Sequence, residues 1–353
     1  MRHAFVIGVA AALAGCSSGA QQQSATLAPA VSTAALRATV PYPAARAVRE
    51  IRPNHHKSWV SPTVKDIPRL LFIADYGADD VDIFTMPDLK LKGTLTGFDY
   101  PEGECSDASG NIWIANTGDQ DMLLYSRTGT LLKTLSVTDE YPVSCAVNLS
   151  NGDLAVGNIE NASGGPGSVE IFQNATGTGV PYTNSSFYYY FFVGWDNSGN
   201  LFFDGMNSSR TVSYFAELPA GSSSTRLINL SGGTLHTSGF IQWYYTGNYL
   251  ALADQECGGQ PSACIYWVSV SGSTGTITGT TDLLNYEGGD VCDLVQGVIG
   301  AYGERYVAGA DYESCGYTPM TANRWAYQAG GTPTNYNNTA SFTFPIGAAI
   351  STK

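Results

Sequence analysis

Residues 110–135, GNIWIANTGDQDMLLYSRTGTLLKTL, decide the fold of this chain. We interpret residues 111–115, 122–126 and 130–137 as three short strands, separated by polar turns that contain Gly, Asn and Asp. Short strands broken by such turns are typical of an antiparallel meander. Because three strands with one apolar face cannot bury that face alone, the sequence predicts that the unit is repeated.

A short motif from this stretch recurs along the chain. In each copy an Asp or Asn follows a small or apolar residue at the end of a strand. The six copies are Asp75, Asn116, Asn158, Asp204, Asp254 and Asp311. Successive copies lie 41, 42, 46, 50 and 57 residues apart. Steps of roughly 40–50 residues with about four strands each are typical of propeller blades, so the predicted fold is all-β, a six-bladed β-propeller. We expect each strand-end Asp or Asn to accept hydrogen bonds from the turn that follows it.

The two ends of the propeller are predicted to close the ring. The first unit begins near Arg69 with three strands and lacks an inner one, whereas residues 345–349 supply a lone inner strand at the C-terminus. We therefore expect the C-terminal strand to close the first blade, which removes the open sheet edges. The predicted domains are a signal peptide at 1–15, a flexible tether at 16–67 and the propeller at 68–353.

The N-terminus carries a targeting segment. Arg2 precedes an apolar run at residues 4–15 that is too short to span a bilayer. Its end, Leu13-Ala14-Gly15-Cys16, resembles the lipobox of bacterial lipoproteins. The resemblance implies that the signal is removed before Cys16, that Cys16 is lipidated and that Ser17 directs the protein to the outer membrane of the cell envelope. The alternative is an ordinary secretory signal with a chance Cys.

A second resemblance concerns the repeat itself. Residues 112–118, IWIANTG, are similar to the core of NHL repeats. The same inner-strand pattern occurs in YncE-like and gluconolactonase-like propellers, and the resemblance covers about residues 69–351. It implies a β-propeller, but such motifs say little about activity.

The charge balance excludes one class of partner. The formal net charge is −13, from 17 Lys and Arg against 30 Asp and Glu. Phosphate binding needs a basic surface, so we expect no nucleic-acid partner, and we expect membrane contact through the N-terminal lipid only.

The cysteines suggest disulfides. With Cys16 assigned to lipid, six Cys remain in an exported chain, an even number that permits bridges. The predicted pairs are Cys257–Cys264 within one turn, Cys105–Cys145 on neighbouring inner strands, and Cys292–Cys315 within the last blade. The last two pairs stay open, because six Cys allow about 15 pairings. No C-x-x-C occurs and only four His are present, which argues against zinc.

Several acidic side chains are predicted on inner strands, which line the central channel. Glu102, Asp290 and Asp293 are the candidate channel-mouth acids, and converging carboxylates could hold Ca²⁺. Residues 101–103, Pro-Glu-Gly, resemble the opening of the metal-binding strand in gluconolactonase-like propellers, but no second acid stands in register. His236 is the one His in the predicted propeller, so a Ser-His-Asp arrangement would have to include it.

Two function hypotheses follow. The first is a lipid-anchored propeller that acts as a non-catalytic binding or scaffolding module for a protein or glycan partner, without a cofactor. Dense aromatic runs at 187–192 and 243–245 either pack between blades or offer stacking surfaces at a channel mouth. The alternative is a calcium-dependent, lactonase-like hydrolase with its site in the central channel.

Overall fold

The computed structural model of the protein describes residues 57–300, 304–312 and 319–353. The predicted signal peptide, the lipobox with Cys16, most of the predicted tether and Cys315 lie outside these residues. The described part is built from strands, joined by turns and four short 3-10 helices. The strands form six small antiparallel-dominated sheets, as predicted for a six-bladed propeller.

Each sheet is one blade, and its strands follow one another from the channel outward. Blade 1 consists of Ala349–Thr352, Arg69–Asp75, Asp80–Thr85, Leu91–Thr96 and Trp59–Val60. Blade 2 consists of Pro101–Ser106, Ile112–Asn116, Asp121–Tyr125 and Leu131–Ser136. Blade 3 consists of Glu140–Val147, Leu154–Asn161, Pro166–Phe172 and Val180–Tyr182. Blade 4 consists of Tyr189–Trp195, Leu201–Met206, Ser213–Leu218 and Arg226–Leu227. Blade 5 consists of Ser238–Tyr244, Tyr249–Asp254, Cys264–Ser271, Thr274–Asp282 and Asn229–Ser231. Blade 6 consists of Gly297–Ile299, Tyr306–Asp311, Thr321–Ala326 and Asn335–Asn337.

The C-terminal strand closes the first blade, as the sequence predicts. Ala349–Thr352 pairs antiparallel with Arg69–Asp75 and is the innermost strand of that sheet. Just before it, the backbone N–H of Ile346 donates a hydrogen bond to the carbonyl of Ala74 at 2.9 Å. A blade made from both ends of the chain holds the ring shut, because neither end separates without breaking this ladder.

The first blade also takes in residues that the sequence analysis places in the tether. Trp59–Val60 adds a fifth strand on the outside of Leu91–Thr96. The 3-10 helix Pro62–Asp66 follows, capped by the Ser61 hydroxyl, and Val64 is buried in the core with 1% of its surface exposed. A two-residue edge strand is too short for hydrophobic periodicity to show, which is why the sequence pattern places the boundary later.

Glycines on the inner strands let neighbouring blades approach closely at the axis. A side chain at Gly347 would bring its Cβ to 2.1 Å from the carbonyl oxygen of Glu102. One at Gly103 would bring its Cβ to 2.5 Å from the carbonyl oxygen of Val143. Only a residue without a Cβ fits between such backbones. The inner strands of blades 1, 2 and 3 therefore meet backbone to backbone and narrow the central channel.

Candidate functional site

The narrowed channel has a cavity at each mouth. The front cavity lies where the inner strands begin and has a volume of about 390 Å³. All six blades contribute to its lining, through Ile346, Glu102, Val143, Phe192, Ser238 and Asp293 in blade order. The rear cavity lies where the same strands end, has a volume of about 370 Å³, and contains Glu104, Trp195, Trp243 and Gln296 in its lining. Both volumes lie in the range of small-ligand sites.

The floor of the front cavity is polar and buried. Glu102 and Asp293 are 4% and 3% exposed, and Gln255 is 5% exposed. The amide nitrogen of Gln255 donates a hydrogen bond to the carbonyl of Ser238. Its amide oxygen has no hydrogen-bond partner among the described residues. A buried acceptor in that state is costly, and a ligand donor in the cavity would satisfy it.

The walls of the front cavity are apolar and largely aromatic. Phe191 and Phe192 come from blade 4, and Phe344 comes from the segment that leads into the C-terminal strand. The Phe344 ring packs edge-on against Tyr312, with centroids 3.9 Å apart, and against Tyr76 at 5.4 Å. These ring contacts hold Phe344 in its position in the wall.

The rim of the front cavity carries charged side chains of both signs. Arg210 lies there with its guanidinium 4.0 Å from the centre of the Tyr189 ring, a cation–π contact. Glu256 and His236 also line this mouth. The guanidinium of Arg210 is thus directed onto Tyr189, while the buried carboxyl groups occupy the floor.

Strand-end Asp residues hold the lining segments in place. Asp254 accepts hydrogen bonds from the backbone N–H groups of His236 at 3.0 Å and Thr237 at 2.9 Å. Asp204 accepts one from the N–H of Phe192 at 2.9 Å, and burial raises the pKa of Asp204 well above its usual range. The predicted turn role is also present, because Asp254 accepts from the N–H of Glu256 at 3.0 Å. The repeated acids therefore position the channel mouth in addition to capping turns.

The geometry around His236 does not form a nucleophile system. Its Nδ1 lies 3.4 Å from a carboxyl oxygen of Asp254, as in the Asp–His half of a triad. Its Nε2, however, faces Gly259, and no described Ser or Thr hydroxyl donates a hydrogen bond to it. The Ser213 hydroxyl bonds the backbone carbonyl of His236, not its ring. A histidine without an oriented hydroxyl has no group to activate.

The three predicted channel-mouth acids separate into two places. Glu102 and Asp293 line the front cavity together. Asp290 is exposed and lies outside it, where its carboxyl group accepts a 3.4 Å hydrogen bond from the Ser262 hydroxyl. Asp290 precedes Asp293, the first residue of this segment that lines the cavity, by three positions. The spacing of the acids in the sequence does not reveal that only one of them reaches the channel.

The residues do not fit a calcium site of the gluconolactonase type. Among the described residues, the one group of three ligating side chains within 4.8 Å of one another is Cys257, Cys264 and Asp282. Cys257 and Cys264 are bonded to each other in a disulfide, so their sulfurs are unavailable as thiolates. Calcium takes six to eight oxygen ligands, which this group does not offer.

Two predicted disulfides are confirmed. Cys257–Cys264 closes a turn in blade 5, and Cys105–Cys145 joins the inner strands of blades 2 and 3. Cys292 is disulfide-bonded as well. Its predicted partner, Cys315, lies outside the described residues.

The floor of the rear cavity holds Glu104, an inner-strand acid that is not among the three predicted channel-mouth acids. Glu104 is 2% exposed, and its backbone is clamped by the amide of Gln296, whose oxygen accepts from the Glu104 N–H and whose nitrogen donates to the Glu104 carbonyl, both at 2.8 Å. Burial raises the pKa of the Glu104 carboxyl well above its usual range, and a nearby backbone N–H of Ala349 opposes the rise only in part. Burial therefore favours the protonated form of this carboxyl.

Comparison with known proteins supports the fold and nothing finer. No protein-family model matches the chain, and no curated protein matches it. Among solved structures, a chain of the nidogen/laminin complex is similar with a TM-score of 0.58 and 11% identity, covering 80% of this chain and 98% of that one. A protein of unknown function from Bacteroides caccae gives 0.58 and 11%, covering 81% and 100%. TolB from Acinetobacter baumannii gives 0.56 and 12%, covering 81% and 67%.

These similarities support the six-bladed propeller. At 11–12% identity they show a shared architecture only, since propellers host many unrelated functions. The resemblance to NHL repeats stays a prediction. The described residues contain no helix long and apolar enough to cross a membrane.

Proposed function

We propose that this propeller is a non-catalytic binding module that holds a segment of a partner protein in the front cavity. The observation that carries the proposal is the pairing of two buried carboxyl groups, Glu102 and Asp293, with a wall of phenylalanines in one cavity on the axis. Among the described residues that line this cavity, none is arranged as an activated nucleophile or as part of a metal cage, whereas the shape and lining suit recognition.

The lining indicates the chemistry of the inserted group. Acidic groups on the floor attract a cation, and the phenylalanine walls contact an aliphatic stem. The amide oxygen of Gln255 offers a further acceptor for an N–H donor. An arginine or lysine side chain meets all three conditions, since both bury their methylene stems against apolar surface and place the charge at the end. The partner segment therefore presents a basic side chain.

The fold comparisons agree with a protein partner. One similar structure belongs to the nidogen/laminin complex, an assembly of two proteins. Propellers suit this role because loops from all blades converge at a rigid mouth, so a partner loses little binding energy to ordering the site.

The location of the module is part of the proposal. We infer that Cys16 is lipidated and that the residues following it tether the propeller to the outer membrane of a bacterial cell envelope. We also propose that the blades are NHL-like or YncE-like repeats. The support is the Leu13-Ala14-Gly15-Cys16 sequence after an apolar run. Labelling of the expressed chain with an alkyne fatty acid, lost in Cys16→Ser, tests this.

The binding test uses the full chain carrying Cys16→Ser, which stays unlipidated. A random peptide library displayed on phage is selected on it, and enriched sequences are synthesised. We expect the enriched peptides to share an Arg or Lys, and their binding to weaken more than tenfold in Glu102→Gln, because losing one partner of a buried charge pair costs about 2–5 kcal/mol.

Asp290→Asn is the matched control, since it removes an exposed carboxylate outside the cavity. Its affinity for the same peptides should equal that of the wild type. Enriched peptides without basic residues, or equal binding by wild type and Glu102→Gln, would overturn the proposal. Binding of glycans but no peptides at this mouth would do the same.

A further inference from the structure

The rear cavity differs from the front cavity in its charge. None of the described residues that line it is a lysine or an arginine. Asp196, an acid at its rim, has both carboxyl oxygens engaged, by the backbone N–H groups of Ser198 and Asn200 at 2.8 and 2.9 Å and by the Asn200 side chain at 2.7 Å. Burial favours the protonated form of the Glu104 carboxyl, so the floor of this mouth presents hydrogen-bonding groups rather than a charged partner to a ligand. These features favour an uncharged ligand.

The rim of the rear cavity is aromatic. Trp195 ends the inner strand of blade 4, and Trp243 and Tyr245 lie at the end of the inner strand of blade 5, the neighbouring blade. Tyr245 is 46% exposed, and both tryptophans are half-buried. The Trp195 indole donates a 3.2 Å hydrogen bond to the carbonyl of Ala146, which fixes its ring. Partly exposed aromatic rings grouped at a cavity mouth offer stacking surfaces to a ligand.

Two polar groups in the lining of the rear cavity, one in blade 5 and one across the axis in blade 2, are poorly satisfied. The indole N–H of Trp243 is buried with no hydrogen-bond partner in the described part of the chain. Neither carboxyl oxygen of Glu104 has a partner at hydrogen-bond geometry there. A protonated carboxyl both donates and accepts, and an indole N–H donates. The hydroxyl groups of one ligand would meet both requirements, because a hydroxyl donates and accepts.

We propose that the rear cavity binds a neutral saccharide, with a sugar ring stacked on Trp243 and Tyr245 and a hydroxyl hydrogen-bonded to Glu104. A pyranose has an apolar C–H face for the aromatic rings and hydroxyls at its edge for the floor. This site is separate from the one proposed for the partner protein, and it needs no contribution from the front cavity.

A proline-rich peptide is the competing occupant, because such peptides also dock on aromatic surfaces. An extended peptide needs a groove that is open at both ends. The rear cavity instead narrows onto the axis, where Gln296 bridges the inner strands through bonds to Glu104 and, at 3.0 Å, to the N–H of Ala348. A compact ring fits this funnel better than a continuous strand.

The test titrates the full Cys16→Ser chain with chitotriose, cellotriose and maltotriose, followed by tryptophan fluorescence and calorimetry. We expect at least one trisaccharide to bind in the millimolar range or tighter. Tyr245→Ala should weaken that binding at least ~5-fold, and Trp243→Ala should remove both the binding and most of the fluorescence change. Glu104→Gln, which keeps the size of the side chain, should weaken binding but leave the fluorescence change at saturation.

Tyr336→Ala is the control for a lost exposed aromatic, because Tyr336 is also 46% exposed but lies on the outer strand of blade 6. It should leave saccharide binding unchanged, as should Glu102→Gln in the front cavity. Thermal melts identify any variant that fails to fold; Tyr245→Ala, on the surface, keeps the test decisive. No signal with any of the three sugars at about 20 mM, binding unaffected by Tyr245→Ala, or binding of a proline decapeptide instead would overturn the proposal.

Discussion

The carboxyl group of Asp75 accepts a hydrogen bond from the backbone N–H of Phe344 at 2.7 Å. Its other oxygen accepts from the N–H of Thr343 at 2.6 Å, and it also caps its own turn through Gly77 and Ala78. One side chain in the first strand pair thus holds the segment that delivers the last strand. The same bonds place Phe344 in the wall of the front cavity, so ring closure and the binding site share a residue.

Asp75→Ala is expected to lower the free energy of unfolding by about 3 kcal/mol or more. The substitution leaves several backbone N–H groups without an acceptor, and each buried unsatisfied group costs about 1–3 kcal/mol. Urea denaturation of wild type and variant measures the change. Asp290→Ala, at an exposed position, should change stability by less than about 0.5 kcal/mol. Equal effects of the two substitutions would contradict the closure role.

Asp80 is expected to make the propeller less stable as the pH rises. Burial, then the nearby charges of Asp82, Asp75 and Asp79, raise the pKa of Asp80 to about 8. Burial likewise raises the pKa of Asp82 to about 6. Since the unfolded chain ionises these groups near 3.8, the folded state retains protons that the unfolded state releases, and stability falls between about pH 4 and pH 8.

Thermal melts from pH 4.5 to 8.5 check this dependence in wild type and Asp80→Asn. The variant cannot ionise at this position, so its melting temperature should decline less over the range and should exceed that of the wild type above about pH 8. An identical pH profile for the two proteins would show that Asp80 titrates normally in the folded state.

Much of the fold is predictable from the sequence because the repeat is local. The second strand of blade 2 was expected at 111–115 and lies at Ile112–Asn116, and its neighbour was expected at 122–126 and lies at Asp121–Tyr125. Turn residues and alternating burial specify such strands within a few positions. The closure was predictable for a related reason: a missing inner strand at one end and a spare one at the other leave a single arrangement without open edges.

The site was less predictable because it depends on single residues brought together across blades. Gln255 and Gln296 act through one amide each, and no periodic pattern distinguishes them from surface glutamines. Asp290 and Asp293 are three residues apart, yet only Asp293 is buried in the cavity. A sequence pattern locates a strand, but a side chain's environment depends on the neighbouring blade that faces it.

Calcium is expected to leave the melting temperature unchanged. A site with a dissociation constant of about 10 µM would stabilise the folded state by about 2.7 kcal/mol in 1 mM Ca²⁺, enough to raise the melting temperature by a few degrees. Because Glu102 and Asp290 are not gathered at one place, we expect a shift below about 1 °C between calcium and chelator. A larger shift that disappears in Glu102→Gln would restore the hydrolase hypothesis.

We expect Gln296 to stabilise the propeller at its axis by hydrogen-bonding the inner strands of different blades. Its amide oxygen accepts from the N–H groups of Glu104 and Ala348, and its nitrogen donates to the carbonyl of Glu104. The amide thereby joins blade 6 to the inner strands of blades 2 and 1. Gln296→Leu keeps a similar volume but removes all three bonds between buried groups, so it should lower the free energy of unfolding by about 3 kcal/mol.

Gln242→Leu is the matched control, because the same change of side chain removes fewer hydrogen bonds. Gln242 makes the equivalent two-bond clamp between blades 5 and 6, with Ile299, and Gln242→Leu should cost less because it frees one residue's backbone groups rather than those of two. Urea denaturation gives both values. If Gln296→Leu proved as stable as the wild type, the hydrogen bonds of the amide would not stabilise the ring. The inner strands would then be held by the close backbone packing at Gly103 and Gly347, and the Gln296 side chain would only occupy space between the two cavities.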